Sequence, residues 1–195
     1  AKPALTVNTV QPRNMQLPTV LAANGNVAAW QEASIGSESN GLRLTDVKVN
    51  IGDQVQKGQV LATYASETIQ ADVAQAEANL LEAQAHAAQD FANADRAKRL
   101  DVEGALSKQE ISLYLTNAKA AEAKVAAAKA TLNAQKIRLK FTTVLAPDDG
   151  IISSRTATVG AVVNGGTELF RMIRQGRLEW RAEVTSAELN QIRIG

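Results

Sequence analysis

Apolar and polar positions change rhythm along the chain, from short strand-like runs to a long seven-residue period and back. Residues 1–34 hold the runs Leu5-Thr6-Val7 and Val20-Leu21-Ala22, interrupted by Pro12, Pro18 and Gly25. Residues 35–65 are rich in Val, Ile and Leu and punctuated by glycine, the texture of short strands and tight turns. Residues 66–140 contain no proline and one glycine, Gly104, and residues 141–175 return to the glycine-punctuated texture. Residues 176–195 alternate, with Leu178, Trp180, Ala182 and Val184 on one face of a strand. The order predicts nested insertion. Each outer pair of segments is split by the one inside it.

The innermost segment reads as two helices. In the second, Ile111, Ala118, Val125, Leu132 and Leu139 recur at intervals of seven, with Tyr114, Ala121, Ala128 and Gln135 three residues after the first four. In the first, Val73, Leu80, Ala87 and Ala94 keep the same interval, beside Ala76, Ala83 and Ala97. Heptads sustained this long describe a coiled-coil seam, and alanine at seam positions permits close approach and favours helix. Gly104 breaks the run, and Ser107-Lys108-Gln109-Glu110 follows as a capping box. The first helix is therefore predicted to end near residue 102 and the second to begin near 107. So short a connection makes them antiparallel. Arms of about 34 residues reach roughly 50 Å at 1.5 Å per residue.

The segments flanking the hairpin carry one pattern twice. Gly52, Val55, Gly58 and Leu61 match Gly160, Val163, Gly166 and Leu169 as G-x-x-V-x-x-G-x-x-L, each copy following a turn that begins at Asn40-Gly41 or Asp149-Gly150. Two such halves are predicted to pack face to face as a small β-sandwich, glycines turning the chain and Val and Leu filling the core.

Composition narrows the function. The 195 residues carry 21 basic and 20 acidic side chains, a balance that argues against a large nucleic-acid footprint. Only three Phe, two Trp and two Tyr are present, and alanine supplies much of the apolar fraction, so one thick core is not expected. The absence of cysteine removes disulfides, thiolate metal sites and cysteine nucleophiles. No apolar run reaches membrane-spanning length, and the first residues do not read as a signal peptide.

The doubled glycine motif resembles the lipoyl/biotinyl-carrier fold. That family carries its cofactor on a lysine in the hairpin joining the halves. Here the halves are joined by the helical segment, and Lys57 lies inside the first repeat, so the carrier chemistry does not transfer. A lipoyl-like unit split by an α-hairpin and inserted in a β-barrel unit resembles the periplasmic adaptors of bacterial efflux pumps, the HlyD-like membrane fusion proteins. The resemblance runs through Gly52-Asp53-Gln54-Val55, Leu145-Ala146-Pro147-Asp148-Asp149-Gly150 and Val159-Gly160 to Val184-Thr185-Ser186-Ala187-Glu188-Leu189. It implies an α+β fold: a lipoyl/biotinyl-like split β-sandwich (35–65 and 141–175), an inserted antiparallel coiled-coil hairpin (66–140, tip near 102–107) and part of a β-barrel (1–34 and 176–195). Family members continue beyond such a barrel segment, so the resemblance also implies a fragment.

The hairpin end adds a second match. Adaptors that dock TolC-like outer-membrane channels are similar to one another in R-x(3)-L-x(6)-S at the tip, and Arg96, Leu100 and Ser107 meet that spacing. Arg96 would donate hydrogen bonds to carbonyl or carboxylate groups of the channel, Leu100 would offer an apolar contact, and Ser107 would cap the second helix beside the partner. Read locally, the same three are a solvated charge, a seam residue and a cap.

Little else points to chemistry. His86 stands alone in mid-helix, Met15 and Met172 are far apart in sequence, and Asp148-Asp149-Gly150 reads better as a turn than as a pair of catalytic acids. No catalytic residue, metal site or cofactor is expected. The resemblance implies a non-enzymatic adaptor in the periplasm of a Gram-negative bacterium, attached to the inner membrane. It would link an inner-membrane transporter, of the RND class before the ABC class, to the outer-membrane channel, and self-associate as a ring of six. Drug and metal export stay open as cargo. A lipoyl or biotin carrier and a coiled-coil assembly protein are the rivals from other classes.

Overall fold

The computed structural model describes residues 9–15, 23–102 and 106–186. The runs at Leu5 and Val20, Pro18, Gly104 and the Ala187-Glu188-Leu189 end of the resembling segment lie outside them. The chain forms two compact units, one of residues 1–28 with 179–195 and one of residues 29–178.

In the first unit β1 (Asn24–Ala29) pairs with β10 (Leu178–Glu183) in a two-stranded ribbon. Gly25 is required there, because a Cβ would fall on the Arg181 carbonyl oxygen and the Trp180 ring. The alternation predicted for this strand exists, but its apolar face is uncovered: Leu178 is 55% and Trp180 57% exposed.

The second unit holds two four-stranded sheets around one core, with the α-hairpin inserted between its halves. One sheet runs β2 (Glu32–Gly36), β9 (Glu168–Arg174), β7 (Gly150–Arg155), β4 (Gln54–Val55). The other runs β6 (Thr143–Leu145), β5 (Val60–Tyr64), β3 (Leu42–Val47), β8 (Val162–Val163). One constant offset carries β3 onto β7 and β4 onto β8, so the sequence repeat is a structural two-fold. Its hydrogen bonds repeat as well: Gly52 N donates to the Ile152 carbonyl (2.9 Å) and Gly160 N to the Leu44 carbonyl (2.8 Å).

The halves do not stack as separate sheets. Each lends its shortest strand to the other's sheet, β4 pairing with β7 and β8 with β3. The motif residues do what the pattern requires. Gly52 and Gly160 turn the chain at φ +93° and +88°, and Val55, Leu61, Val163 and Leu169 are buried in the shared core. The two turn dipeptides differ, however. Gly41 has φ +70°, whereas Gly150 is already in strand β7, where a Cβ would meet the Ile173 carbonyl oxygen and Met172 Cε. Gly41 is a turn glycine and Gly150 a close-approach glycine.

The hairpin is α1 (Glu67–Val102) and α2 (Lys108–Lys140). Val73, Ala76, Ala87, Ala94 and Ala97 are buried against Ile111, Ala118, Ala121 and Leu132, which is the heptad seam. The larger apolar side chains, Val73, Leu80, Leu132 and Leu139, gather at the root, near the sandwich. Toward the tip the seam is mostly alanine. Across the seam Lys136 Nζ meets Glu77 Oε1 at 2.9 Å.

Hydrogen bonds fix the root. Tyr64 Oη donates to Ser37 Oγ (2.6 Å), Ser37 Oγ to the Ser39 carbonyl (2.7 Å), and Ser39 Oγ to the Phe141 carbonyl (2.8 Å) at the end of α2. Burial pushes the Tyr64 phenol upward, against a smaller downward pull from Ser37. A neutral, hydrogen-bonded phenol is the form this site favours. The α+β class, with a split sandwich and an inserted helical hairpin, is thus what the sequence implied.

Candidate functional site

The hairpin tip gathers the candidate residues. The buried Ala97 orients the end of α1, leaving Arg96 in solvent and Leu100 half-buried one turn later. Asn93, Arg96, Ala97 and Leu100 of α1 line a cleft with Leu106 and Tyr114. The structure therefore brings Arg96 and Leu100 to one site. Ser107 is not in the cleft wall, although its neighbour Leu106 is.

Ser107 has a definite local task. With φ −72° and ψ 150° it is the N-cap of α2; Glu110 N donates to its Oγ (3.2 Å), and Ser107 N donates back to Glu110 Oε2 (2.9 Å). These bonds hold the Glu110 carboxyl below its usual range, the backbone bond contributing most. The capping box is complete.

Sequence reasoning missed Tyr114. It occupies a seam position by spacing, yet it is 37% exposed and faces the cleft. An aromatic ring at a heptad position surrounded by alanine was the available signal, because so large a side chain cannot fit a seam built for close approach. The cleft is thus one guanidinium, one carboxamide, three apolar side chains and a phenol ring. Arg99 is paired with Asp95. Arg96 has no ion-pair partner among the described residues. Arg96, Lys98 and Arg99 also lie near the C-terminal end of α1, where positive charge is favourable.

The remaining candidates for chemistry are placed elsewhere. His86 is exposed on α1, with Glu82 at 3.9 Å. Met172 is buried in the sandwich and Met15 is exposed in the other unit. Among the described residues no three His, Cys, Asp or Glu side chains group as metal ligands. The adjacent acids are structural: Asp148 Oδ2 accepts from Arg174 Nη2 (2.6 Å) and Nε (2.9 Å), and Asp149 Oδ1 accepts from Lys57 N (2.7 Å). Lys57 sits in the turn between β4 and β5, within one half.

The Arg174 hydrogen bonds hold the Asp148 carboxyl below its ordinary range. A carboxyl whose folded pKa is depressed adds stability above its unfolded pKa, and that stability is lost as pH falls through the folded value. The expected result is an acid limb in the thermal midpoint below about pH 4. Asp148→Asn should flatten that limb and lower the midpoint at pH 7, measured by circular dichroism between about pH 3 and pH 7. An unchanged acid limb would assign it to other carboxylates.

Comparison with known proteins bears on the whole arrangement. Residues 32–173 match the family model of the CzcB-like, barrel-sandwich hybrid domain. The antibiotic efflux pump periplasmic linker protein ArpA of Pseudomonas putida is 34% identical over 174 residues, 89% of this chain and 42% of that protein. The multidrug efflux pump subunit AcrA of Escherichia coli K12 is 32% identical over 166 residues, 84% of this chain and 41% of that subunit. The chain thus spans about two-fifths of the length of these relatives. The crystal structure of MacA from Actinobacillus actinomycetemcomitans superposes with a TM-score of 0.74 at 20% identity, covering 89% of this chain and 58% of that one, which shows a common fold. Split sandwich, inserted hairpin and sequence match agree: the chain belongs to the family of the CzcB-like, barrel-sandwich hybrid domain.

Proposed function

We propose that this chain is the central part of a periplasmic adaptor of a tripartite efflux system. The adaptor links an inner-membrane transporter of the RND class to a TolC-like outer-membrane channel and exports drugs or other toxic compounds. It is not an enzyme, and it works in the periplasm, attached to the inner membrane. Residues 66–140 reach the channel, segments 35–65 and 141–175 form a lipoyl-like layer, and 1–34 with 176–195 belong to a β-barrel layer that contacts the transporter. Copies of the chain associate as a ring of six. Arg96 and Leu100 dock on the channel, with Ser107 setting the turn beside them.

One observation carries this reading: a two-helix arm fixed at its root by hydrogen bonds ends in a cleft whose arginine has no ion-pair partner among the described residues. Relatives named as efflux pump periplasmic linkers supply the context. A hairpin of 36 and 33 residues extends roughly 50 Å, a length suited to spanning a gap between two membrane assemblies.

The absence of cysteine from residues 1–195 supplies the test. Single cysteines replace Lys98, near the tip, and Gln84, midway along α1, in the full-length protein in intact cells. A short bifunctional cross-linker is expected to capture an outer-membrane channel from position 98 and not from 84. Capture from neither position, with the adaptor folded and abundant, overturns the docking assignment.

A further inference from the structure

Just below the tip, α2 is apolar on more sides than its partner helix covers. Ile111 is buried in the seam, but Leu113, Tyr114 and Leu115 are 58%, 37% and 39% exposed. At 3.6 residues per turn, each residue lies about 100° around the helix from the one before. Tyr114 and Leu115 therefore fall on opposite sides of the line through the buried Ile111 and Ala118, and Leu113 falls well away from it. A helix that packs only on its hairpin partner keeps its bulky apolar residues in one stripe. Bulk spread around the helix, and left in solvent, marks a surface that a further partner buries. Charge is missing from the same place. From Ile111 to Ala118 α2 carries no Asp, Glu, Lys or Arg, the longest such stretch in either helix.

Position identifies the partner. The exposed large apolar side chains of α2 are Leu113, Tyr114, Leu115 and Ile137. The first three lie within about 12 Å of the N-cap Ser107 along the helix, at 1.5 Å per residue. Between them and Ile137 the exposed apolar positions are all alanine. A partner lying alongside the whole arm would need bulk along its length, whereas a partner met at the tip needs it only there. The surface is also continuous with the docking site proposed above, because Tyr114 lines the cleft that Arg96 and Leu100 line. A charged partner surface laid on residues 111–118 would lose water without gaining a counter-charge, so the chemistry that fits is uncharged and apolar.

We infer that Leu113, Tyr114 and Leu115 form an apolar docking collar, additional to Arg96 and Leu100, around which an uncharged apolar socket of the outer-membrane channel closes. This deepens the docking reading of the proposed function and rests on it. The tip is then enclosed from its sides down to the level of Leu115, and contact is not confined to its end. Burial of these side chains removes apolar area from water, the non-directional part of the attraction, and leaves direction to the polar groups of the cleft. Leu113 is the most exposed of the three and the one farthest from the seam, so changing it disturbs the hairpin least.

The test uses the full-length protein, otherwise free of cysteine, in intact cells. Leu113→Cys places a thiol in the collar, and Ala127→Cys places one at an exposed position midway along α2. Each is treated with a small water-soluble maleimide in cells that have, or lack, the channel captured by Lys98→Cys. The thiol at position 113 is expected to react severalfold more slowly where the channel is present, and the thiol at position 127 at the same rate in both. Equal labelling of position 113 with and without the channel, while Lys98→Cys still captures it, would overturn the collar and leave docking standing. Protection that persists without the channel would overturn the channel as occupant and point to a neighbouring copy. If Lys98→Cys captures no channel, the docking reading fails and the occupant of the collar fails with it. A second variant, Leu113→Gln, keeps a good helix former at this position. Combined with Lys98→Cys, it is expected to lower the yield of captured channel severalfold at an unchanged thermal midpoint. An unchanged yield would overturn the part of Leu113 in binding.

Discussion

Arg96→Asp is expected to abolish efflux while leaving the fold intact. Arg96 is exposed and has no ion-pair partner among the described residues, so its loss removes no internal bond that holds the hairpin. At a docked tip the same guanidinium would donate charge-assisted hydrogen bonds, worth about 1.5–3 kcal/mol each. Reversing the charge also sets a carboxylate against the partner's acceptors. Each 1.4 kcal/mol is about tenfold in affinity, so a loss of roughly two orders of magnitude is expected in channel binding. Cells carrying the variant should be as sensitive to the exported compounds as cells lacking the adaptor. The thermal midpoint should stay within about 2 °C, since an exposed substitution changes stability by about 0.5 kcal/mol or less even where it opposes the helix dipole.

Leu100→Ala, half-buried beside Arg96, should give a weaker loss of the same kind. Ser107 separates capping from contact. Ser107→Asp keeps an N-cap acceptor and Ser107→Ala does not, and losing such a cap costs helices about 1 kcal/mol. If aspartate restores function where alanine fails, Ser107 acts through the turn. Wild-type efflux from Arg96→Asp would remove the arginine from the docking surface.

The parts of this molecule that could be read from sequence are those set by local periodicity. The seven-residue rhythm from Val73 to Leu139 marks both helices, because a supercoiled pair must repeat its contacts every two turns. Ser107 and Glu110 mark the start of α2, since a capping box is a bond between near neighbours. The repeated glycines mark equivalent turns because φ near +90° excludes most side chains. What stayed hidden depends on residues distant in sequence. The offset between copies shows which strands correspond, yet not that β4 and β8 change sheets, since a two-residue strand carries no preference for one edge over another. Gly150 looked like Gly41 because a turn glycine and a close-approach glycine have the same letter. The Asp148–Arg174 pair required β9 to be folded beside the loop before β7. Arg96 and Leu100, which the structure brings to one cleft, were singled out by a spacing shared among similar adaptors, whereas Ser107, outside the cleft wall, was legible as a cap. Tyr114 was obscured by the regularity that revealed the helices.

Phe170→Ala is expected to give the largest loss of stability of any single truncation in the sandwich. Phe170 is 1% exposed on β9, between β2 and β7, and is the largest fully buried side chain among the described residues. Its core partners come from both halves, Leu44 and Leu61 from the first and Ile152 from the second. A cavity there would weaken the contact that closes the two-fold. Phe→Ala at such a site costs about 3–5 kcal/mol, against a total of about 5–15 kcal/mol for an ordinary domain. The hairpin should feel this loss. Its larger apolar residues lie at the root, and its root is bonded to the sandwich through Ser39 and Tyr64, while the distal seam is mostly alanine and buries little area. Loosening the sandwich therefore loosens the end of the hairpin on which its own stability rests. Urea unfolding followed at the helical far-ultraviolet band should give one transition, moved to lower denaturant in Phe170→Ala by an amount matching those 3–5 kcal/mol. If the helical signal instead kept the wild-type midpoint while the sandwich, followed by tryptophan-independent proteolysis of β9, unfolded early, the hairpin would be an independent folding unit. The root hydrogen bonds would then orient the arm without stabilising it.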